Sequence, residues 1–458
     1  MPASQASQRR LTLYHAAWVF PVATPPLREG ALLVDGEGRI AVVGPRESIE
    51  PPEEAEVVEL GEAALLPGLV NVHAHPELSV FRGALEELPF RDWILRLLGG
   101  KRGALVVEDY VHAARWTAVE ALRAGITTLA ATEASGAALG ALQEAEMRGI
   151  VYRETFGPDP RQAPDSLAEL RRAVEEMRAR ETERVRVGIS PHAPYTVSDA
   201  LFTAAADYAR AEGLPLAVHA AESGVERDLV TRGEGDFAPG LRARGIPTEV
   251  RGRSTIELLD RLGVLAARPL LIHCVDLDTE DIRRIADTGC AVAHCPVANA
   301  KLGHGVAPLP ALHEAGVRVG LGTDSVASNN RLDLLEEARV AALLQRALHR
   351  RPDLLPAEEL LRLCTLDGAR ALALESRIGT LEPGKDADLC AVSLSAPHIQ
   401  PVHDPLAALF HSAHAADVVL TVVEGRVLQR AGEVLTLDAD AIGARVEEAA
   451  ARLREVMG

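Results

Sequence analysis

Leu65-Leu66-Pro67-Gly68-Leu69-Val70-Asn71-Val72-His73-Ala74-His75 is an apolar run, broken by Pro-Gly, that ends in two histidines separated by one residue. Its β-branched residues and its Pro-Gly boundary predict a buried strand. Side chains alternate between the two faces of a strand, so His73 and His75 point the same way and can share one cation. The stretch therefore predicts a strand with a metal site at its end.

Seven further strand-like runs follow, and segments with apolar residues at helical spacing separate them, for example over 107–124 and 166–180. The eight strands are predicted at 70–75, 126–129, 150–155, 185–189, 214–218, 270–272, 290–293 and 317–321. Eight strands that alternate with helices predict an α/β fold, a (β/α)8 TIM-like barrel over residues 66–375.

Both ends of the chain carry short strand-like runs with tight turns instead of helices. We expect residues 1–65 and 376–458 to meet in one satellite domain, with a terminal helix over 438–456. The Gly-, Pro- and Arg-rich segment 233–252 predicts a long surface loop that could close over a substrate.

Composition narrows the class of partner. The 458-residue chain is 47% hydrophobic, which is enough for a large core, and its formal net charge of −18 disfavours nucleic acid and anionic membranes. A small-molecule substrate is the better expectation. Five cysteines without a Cys-x-x-Cys pair favour a reducing cytoplasm, and Met1 to Arg10 is polar, without an apolar signal region.

Polar side chains recur where the predicted strands end. The carboxyl ends of barrel strands face the active site, so these residues should converge. They are His73 and His75 after the first strand, His192 after the fourth, His219 and Glu222 after the fifth, His273 after the sixth and Asp324 after the eighth.

Four of these residues suit one divalent metal ion per subunit. Histidine nitrogens and a carboxylate oxygen fit zinc first, and also iron or manganese. A two-metal site would usually need a carbamylated lysine on a central strand, and none of Lys101, Lys301 and Lys385 is predicted on one. The predicted metal ligands are His73, His75, His219 and Asp324.

The remaining groups suit hydrolysis with an amine leaving group. A divalent ion makes hydroxide available at neutral pH, but the amine must still acquire protons. We expect Glu222 to carry a proton from water to a ring nitrogen, His273 to stabilise the developing oxyanion, and Asp324 to take a proton from water. The other histidines, His304 among them, are interpreted as structural or surface groups, with His294 as the strongest exception.

The chain resembles the amidohydrolase superfamily along nearly its whole length. The motifs are Pro67-Gly68-Leu69-Val70-Asn71-Val72-His73-Ala74-His75, Val218-His219-Ala220-Ala221-Glu222, Ile272-His273-Cys274, His294-Cys295-Pro296-Val297-Ala298-Asn299 and Gly322-Thr323-Asp324-Ser325. The resemblance implies a composite β-sandwich made by the two chain ends and a possible homodimer. Within the superfamily, a glutamate after the third metal histidine is similar to aminohydrolases that deaminate nucleosides and heteroaromatic rings.

Two groups of that branch are similar to this chain around Trp93: methylthioadenosine/S-adenosylhomocysteine deaminases and 6-aminodeoxyfutalosine deaminases. The resemblance implies that Trp93 contacts the substrate. The first group has a ribose-binding glutamate nine residues beyond the tryptophan, where this chain has Arg102. It also has Arg-Gly where this chain has Arg153-Glu154. These departures resemble the second group, which acts in menaquinone synthesis.

The same resemblance implies substrate-binding roles. Arg102 or Arg153 would pair with the benzoate carboxylate of 6-aminodeoxyfutalosine, since guanidinium binds carboxylate bidentately. Glu154 would accept hydrogen bonds from ribose hydroxyls, and His192 would hydrogen-bond the purine. Glu77 is the acidic residue that recurs shortly after the histidine pair.

The sequence therefore predicts a metal-dependent aminohydrolase that removes the 6-amino group of an adenine nucleoside, with 6-aminodeoxyfutalosine as favoured substrate. Methylthioadenosine, S-adenosylhomocysteine or adenosine is the alternative substrate. Removal of chloride or opening of a ring such as an imidazolone is a rival within the same scaffold. A catalytically dead scaffold protein is the rival from another class, and it should have lost at least one of the predicted ligands.

Overall fold

The structure is a computed structural model that describes residues 11–457. The prediction that Met1 to Arg10 has no apolar signal region concerns residues outside the described range. The strands of the structure fall into three groups along the chain: amino-terminal, central and carboxyl-terminal. The first is β1 (Thr12–Val19), β2 (Leu27–Val34), β3 (Ile40–Pro45), β4 (Glu56–Glu59) and β5 (Ala63–Pro67). The central group is β6 (Leu69–Ala74), β7 (Ile126–Glu133), β8 (Arg148–Thr155), β9 (Val185–Pro191), β10 (Ala217–Ala220), β11 (Leu270–His273), β12 (Ala291–His294) and β13 (Arg318–Leu321). The last is β14 (Leu389–Ser393), β15 (Val418–Val423), β16 (Arg426–Arg430) and β17 (Glu433–Val434).

Helices fill the intervals between the central strands and follow them. They are α1 (Phe90–Ala104), α2 (Val107–Arg123), α3 (Ala137–Glu144), α4 (Ala163–Arg178), α5 (Asp199–Glu212), α6 (Gly224–Arg232), α7 (Ala238–Ala243), α8 (Thr255–Arg261), α9 (Thr279–Thr288), α10 (Pro296–Lys301), α11 (Leu309–Glu314), α12 (Val326–Asn329), α13 (Leu334–His349), α14 (Ala357–Cys364), α15 (Leu366–Ala371), α16 (Pro405–His411) and α17 (Ala439–Met457). The segment 233–252, predicted as a loop, contains the six-residue helix α7. Phe237 before that helix stacks on Tyr195 with ring centroids 4.4 Å apart, so the segment is packed against the molecule.

The central strands form two parallel sheets of four, in the orders β6-β7-β8-β9 and β10-β11-β12-β13. The sheets also meet at both outer edges: the Ile189 N–H donates to the Pro215 carbonyl at 2.9 Å, and the Asp324 N–H donates to the His73 carbonyl at 3.0 Å. Each of the eight predicted runs overlaps one of these strands. Because the strands are parallel, their carboxyl ends, with the predicted site residues, lie on one side of the molecule.

Strands from both ends of the chain share one nine-stranded sheet in the order β17-β16-β15-β14-β5-β1-β2-β3, with β4 beside β1. The two ends join where β5 and β14 pair antiparallel, with Leu66 opposite Cys390. Buried aliphatic side chains such as Leu32, Leu65 and Leu389 cover one face of this sheet. The last strands therefore complete a sheet that the first strands begin.

A buried ion cluster ties β8 to this sheet. The guanidinium of Arg148, 2% exposed, pairs with Asp388 at 2.9 Å, Asp386 at 3.0 Å and Glu424 at 3.3 Å. Arg148 begins β8, at the end of the strand opposite the predicted site. The pKa of Arg148 is raised because the neighbouring carboxylates outweigh its burial, so it stays charged.

The five cysteines are all buried, and each is a free thiol. They pack as small apolar side chains. Among the described residues, no helix combines the length and the apolar character needed to cross a membrane.

Candidate active site

Three histidine rings and one carboxylate converge where β6, β10 and β13 end. The Nε2 atoms of His75 and His219 lie 3.3 Å apart. Oδ1 of Asp324 lies 3.4 Å from Nε2 of His73 and 3.6 Å from Nε2 of His75. The structure thus brings the four predicted ligands together, although His73 and Asp324 are far apart along the chain.

The donor set fits a divalent cation. Nε2 of His73 is buried and has no hydrogen-bond partner among the described residues, an unfavourable state unless an ion uses its lone pair. The opposite ring nitrogens are anchored: Nδ1 of His73 contacts Thr132 Oγ1 at 3.2 Å, and Nδ1 of His219 contacts the His192 carbonyl at 3.3 Å. Such partners fix the ring so that Nε2 faces the ion. Ligands on a tetrahedral zinc with bonds of about 2.0–2.1 Å lie about 3.3 Å apart, close to the separations seen here.

Burial lowers the pKa of His75 and of His219, so both rings stay neutral, as metal binding requires. Desolvation, reinforced by the neighbouring ring of His73, lowers the pKa of His75 to about 3. The carboxyl group of Asp324 is instead held in its charged form. Burial alone would raise the pKa of Asp324, but the close approach of the His73 ring outweighs burial and lowers it well below its usual value. The site therefore presents neutral nitrogens and an ionised oxygen.

The backbone around the site is held in a sparsely populated conformation. His273 has φ 74° and Asp324 has φ 55°. Both values lie in the left-handed region, which residues other than glycine adopt at a cost of about 1–3 kcal/mol. Two hydrogen bonds hold the Asp324 carboxylate, from the Ser325 N–H at 2.7 Å and from Ser328 Oγ at 2.7 Å. Strand ends bent in this way aim the two side chains into one space.

Glu222 lies beside this set, 4% exposed. Its Oε2 accepts a hydrogen bond from the Tyr195 hydroxyl at 3.0 Å. Its Oε1 is 3.6 Å from Nε2 of His273 and 3.4 Å from Nε2 of His304. Burial would raise the pKa of Glu222, but charge from His273 and His304 lowers it to about 2, so the carboxylate is ionised and ready to accept a proton.

His192 faces the same space from the end of β9. Thr196 Oγ1 contacts its Nδ1 at 2.8 Å, and Phe156 packs on its ring with centroids 5.1 Å apart. Burial lowers its pKa to about 4, so the ring is neutral and can exchange a hydrogen bond with a heteroaromatic ligand.

A cavity of about 200 Å³ opens over these groups. One wall is apolar and comes mainly from α1. The other carries carboxylates, a lysine and the histidines. The apolar lining residues are Leu78, Phe90, Trp93, Ile94, Leu97, Leu98, Phe156, Tyr195 and Leu302, and the charged ones away from the metal set are Glu77, Lys101 and Glu154. Such a cavity suits a ligand with a flat ring and a polar sugar-like part.

Two groups in the cavity wall offer unused hydrogen-bonding capacity. Nε1 of Trp93 and Oε1 of Glu154 are both buried without a partner among the described residues. Burial, reinforced by Glu77, raises the pKa of Glu154 to about 8, so it is mostly protonated at neutral pH. Glu77 is instead ionised, since Lys101 pairs with it at 2.7 Å and outweighs its burial.

Neither predicted arginine lines this cavity. Arg102 is exposed on α1, while the preceding residue, Lys101, turns towards the cavity, because neighbours on a helix point in different directions. Arg153 lies on the face of β8 opposite to Tyr152 and Glu154 and, with Glu169, lines a neighbouring pocket that shares Glu154 with the main cavity. A substrate contact through Arg102 or Arg153 therefore stays a prediction, which the lining of this cavity does not support.

Sequence reasoning missed four residues at the site: Lys101, Glu133, Tyr195 and His304. Glu133 ends β7 beyond the predicted end of that strand, and burial with the nearby Glu77 raises its pKa to about 7. Tyr195 lies three residues after the predicted site residue His192, and this proximity was the available signal. His304 had no such signal. His294 is buried without a ring partner among the described residues and does not line the cavity.

Comparisons with known proteins agree with this geometry. Residues 64–428 match the model of the amidohydrolase family. A 5-methylthioadenosine/S-adenosylhomocysteine deaminase of Moorella thermoacetica is 35% identical over 430 residues, 93% of this chain and 96% of that protein. A 5′-deoxyadenosine deaminase of Methanothermobacter thermautotrophicus is 33% identical over 93% of this chain and 95% of its own length.

A solved structure is similar over almost the whole length. The crystal structure of an adenosine deaminase from Xanthomonas campestris with bound zinc superposes with a TM-score of 0.86 at 29% identity, covering 98% of this chain and 99% of that one. Together with the converging histidines, aspartate and glutamate, these matches show that the chain belongs to the amidohydrolase family and is a hydrolase that acts on C–N bonds.

Proposed function

We propose that the chain hydrolyses the 6-amino group of an adenine nucleoside and releases ammonia. The observation that carries the proposal is the buried, ionised Glu222 beside both the histidine–aspartate set and the nucleoside-sized cavity. Relatives named as deaminases of adenine nucleosides support it. The four ligand side chains would hold one divalent ion, for which zinc is our first choice because the similar adenosine deaminase contains it.

When bound, the ion would lower the pKa of a water molecule and so supply a nucleophile at neutral pH. Glu222 would take a proton from that water and deliver it to the ring nitrogen next to the reacting carbon. His273 would donate to the oxygen as charge develops there, and Asp324 would receive the remaining proton and pass it on to the departing amino group. Water thereby contributes the new C–O bond, and the amine leaves as ammonia.

We also propose that the two parallel sheets close into a (β/α)8 barrel over residues 66–375. The hydrogen bonds between Ile189 and Pro215 and between Asp324 and His73 support closure at both edges. Residues 11–65 and 376–457 would then form the satellite β domain around the shared nine-stranded sheet.

For the substituent at the sugar, 6-aminodeoxyfutalosine remains the first candidate. Its carboxylate needs a cation, and Lys101 supplies the cationic side chain in the cavity lining among the described residues. Glu77 already pairs with this ammonium, so a substrate carboxylate would share it. Protonation of Glu154 favours the same ligand because it removes one repelling charge.

Methylthioadenosine and S-adenosylhomocysteine are the second candidates. The apolar residues Ile94, Leu97 and Leu98 on α1 would cover a thioether substituent. The name of the Moorella thermoacetica relative supports this choice.

The test is ammonia release by the zinc-loaded enzyme, with kcat/KM compared for 6-aminodeoxyfutalosine, methylthioadenosine, S-adenosylhomocysteine and adenosine. A preference for the carboxylated compound would support the first candidate, and a preference for the thioethers the second. Failure to release ammonia from all four would sink the deaminase proposal. Dechlorination or ring opening would then be examined next, and a protein that also bound no metal would point to a scaffold role.

A further inference from the structure

Glu222 is contacted on both carboxylate oxygens. The Tyr195 hydroxyl donates to Oε2 at 3.0 Å. His273 and His304 face Oε1, with Nε2 atoms at 3.6 Å and 3.4 Å. His273 also faces the metal set, but the His304 side chain does not line the cavity, so it acts only from behind Glu222.

The His304 side chain has an unmet hydrogen-bonding group. It is 3% exposed, and its Nε2 has no formed hydrogen bond among the described residues, because the 3.4 Å to Glu222 is long. A buried ring nitrogen without a partner is costly. The carboxylate that it faces is the nearest means of satisfying it, and catalytic contacts often shorten once substrate is bound.

The chain around His304 is shaped to aim this ring. Gly303 and Gly305 have φ values of 70° and 114°, conformations that glycine adopts without strain. The His304 N–H donates to the Asn299 carbonyl at 2.9 Å, while Asn299 Oδ1 contacts Nδ1 of His273 at 2.9 Å. The ring stands edge-on to Phe90 with centroids 4.5 Å apart. One short segment therefore orients both histidines that face Glu222.

We propose that His304 is a positioning residue, whose Nε2–H donates to Oε1 of Glu222 and, with Tyr195 on Oε2, holds the carboxylate between the attacking water and the ring nitrogen. This role rests on the proposed deamination. A carboxylate that must take and then give a proton loses rate if it rotates away, since a displacement of about 1 Å can cost about 100-fold.

His273 and His304 also set the charge state of Glu222. The titratable groups that face it are Tyr195, His192, His273, His304, Glu226 and Asp324. Of these, His273 and His304 lower the pKa of Glu222. Loss of the His304 ring should therefore raise that pKa and move the acid side of the kcat/KM profile to higher pH.

The experiment compares His304→Leu, His304→Gln and the control His313→Leu in the metal-loaded enzyme. Glutamine places an N–H near the position of Nε2, whereas leucine removes the donor. His313, on α11, lines a pocket remote from the candidate site. We expect His304→Leu to lower kcat by about 10- to 100-fold with KM and metal content unchanged, His304→Gln to recover most of the rate, and His313→Leu to match wild type.

Equal losses in both His304 variants, a change carried by KM, or a kcat within threefold of wild type in His304→Leu would overturn the role of His304 alone. If His304→Leu does not fold, the glutamine variant decides by its rate: a kcat more than tenfold below wild type with unchanged metal content would overturn the role of the Nε2–H donor. A wild-type enzyme that releases no ammonia from any adenine nucleoside overturns the proposed function, and the His304 role with it.

Discussion

Replacing Glu222 by glutamine removes a proton-carrying carboxylate while keeping the shape of the side chain. The Tyr195 hydroxyl can still donate to the amide oxygen across the 3.0 Å contact, so the cavity should keep its form. A lost general acid–base costs about 10²–10⁴-fold in rate. Glu222 is only 4% exposed, which leaves bulk water little access as a substitute, so we expect a loss of about 10³–10⁴-fold, equivalent to about 4–5.5 kcal/mol.

The assay is steady-state ammonia release together with metal analysis of the same preparation. Because Glu222 is not one of the four ligands, Glu222→Gln should keep its metal and show a KM close to wild type. Glu447→Gln is the matched control, since Glu447 lies on α17 with its side chain 70% exposed. A Glu222→Gln enzyme that retains its metal and works within tenfold of wild type would refute the assignment of the proton carrier.

Four other substitutions test separate parts of the account. Arg102→Ala should leave kcat/KM on every substrate within about twofold, since Arg102 is exposed, and a selective loss on the carboxylated substrate would restore the original arginine hypothesis. Lys101→Met should raise KM for 6-aminodeoxyfutalosine by about tenfold and spare methylthioadenosine, as one lost ion pair predicts; equal effects on both would contradict a carboxylate-binding role. Because the pKa of Glu154 is about 8, KM for the carboxylated substrate should rise as pH increases through 8, where Glu154 becomes charged, and Glu154→Gln should abolish that rise in a pH series. Arg148→Met should lower the free energy of unfolding by about 3–5 kcal/mol in urea titrations, because three carboxylates lose their buried partner, without changing KM of the folded enzyme.

The strand pattern was predictable because buried parallel strands are short apolar runs. The exact residues at which the strands begin and end were less predictable. The predicted fifth strand starts at Leu214, but Pro215 uses its carbonyl to bind Ile189 of the neighbouring sheet, and regular pairing begins at Ala217. The helix inside 233–252 was missed because its stability comes from packing such as Phe237 on Tyr195, which local composition does not encode.

The metal set was predictable because parallel strands bring their carboxyl ends together, whatever their separation along the chain. The side chains that line the cavity beside the metal ligands were not predictable in this way. Whether Lys101 or Arg102 faces the cavity depends on the rotation of α1, and whether Arg153 or Glu154 faces it depends on the register of β8. Both are fixed by tertiary packing. His304 was missed for a similar reason, since its contact with Glu222 spans two loops and has no fixed spacing.

The most direct test of the central claim is metal removal followed by stepwise restoration, with ammonia release from an adenine nucleoside as the readout. The four converging ligands predict that the stripped enzyme is inactive and that activity returns in proportion to added zinc, reaching its maximum at about one ion per chain. Full ammonia release by the metal-free enzyme would contradict the account, as would a fully metal-loaded enzyme that leaves the 6-amino group in place.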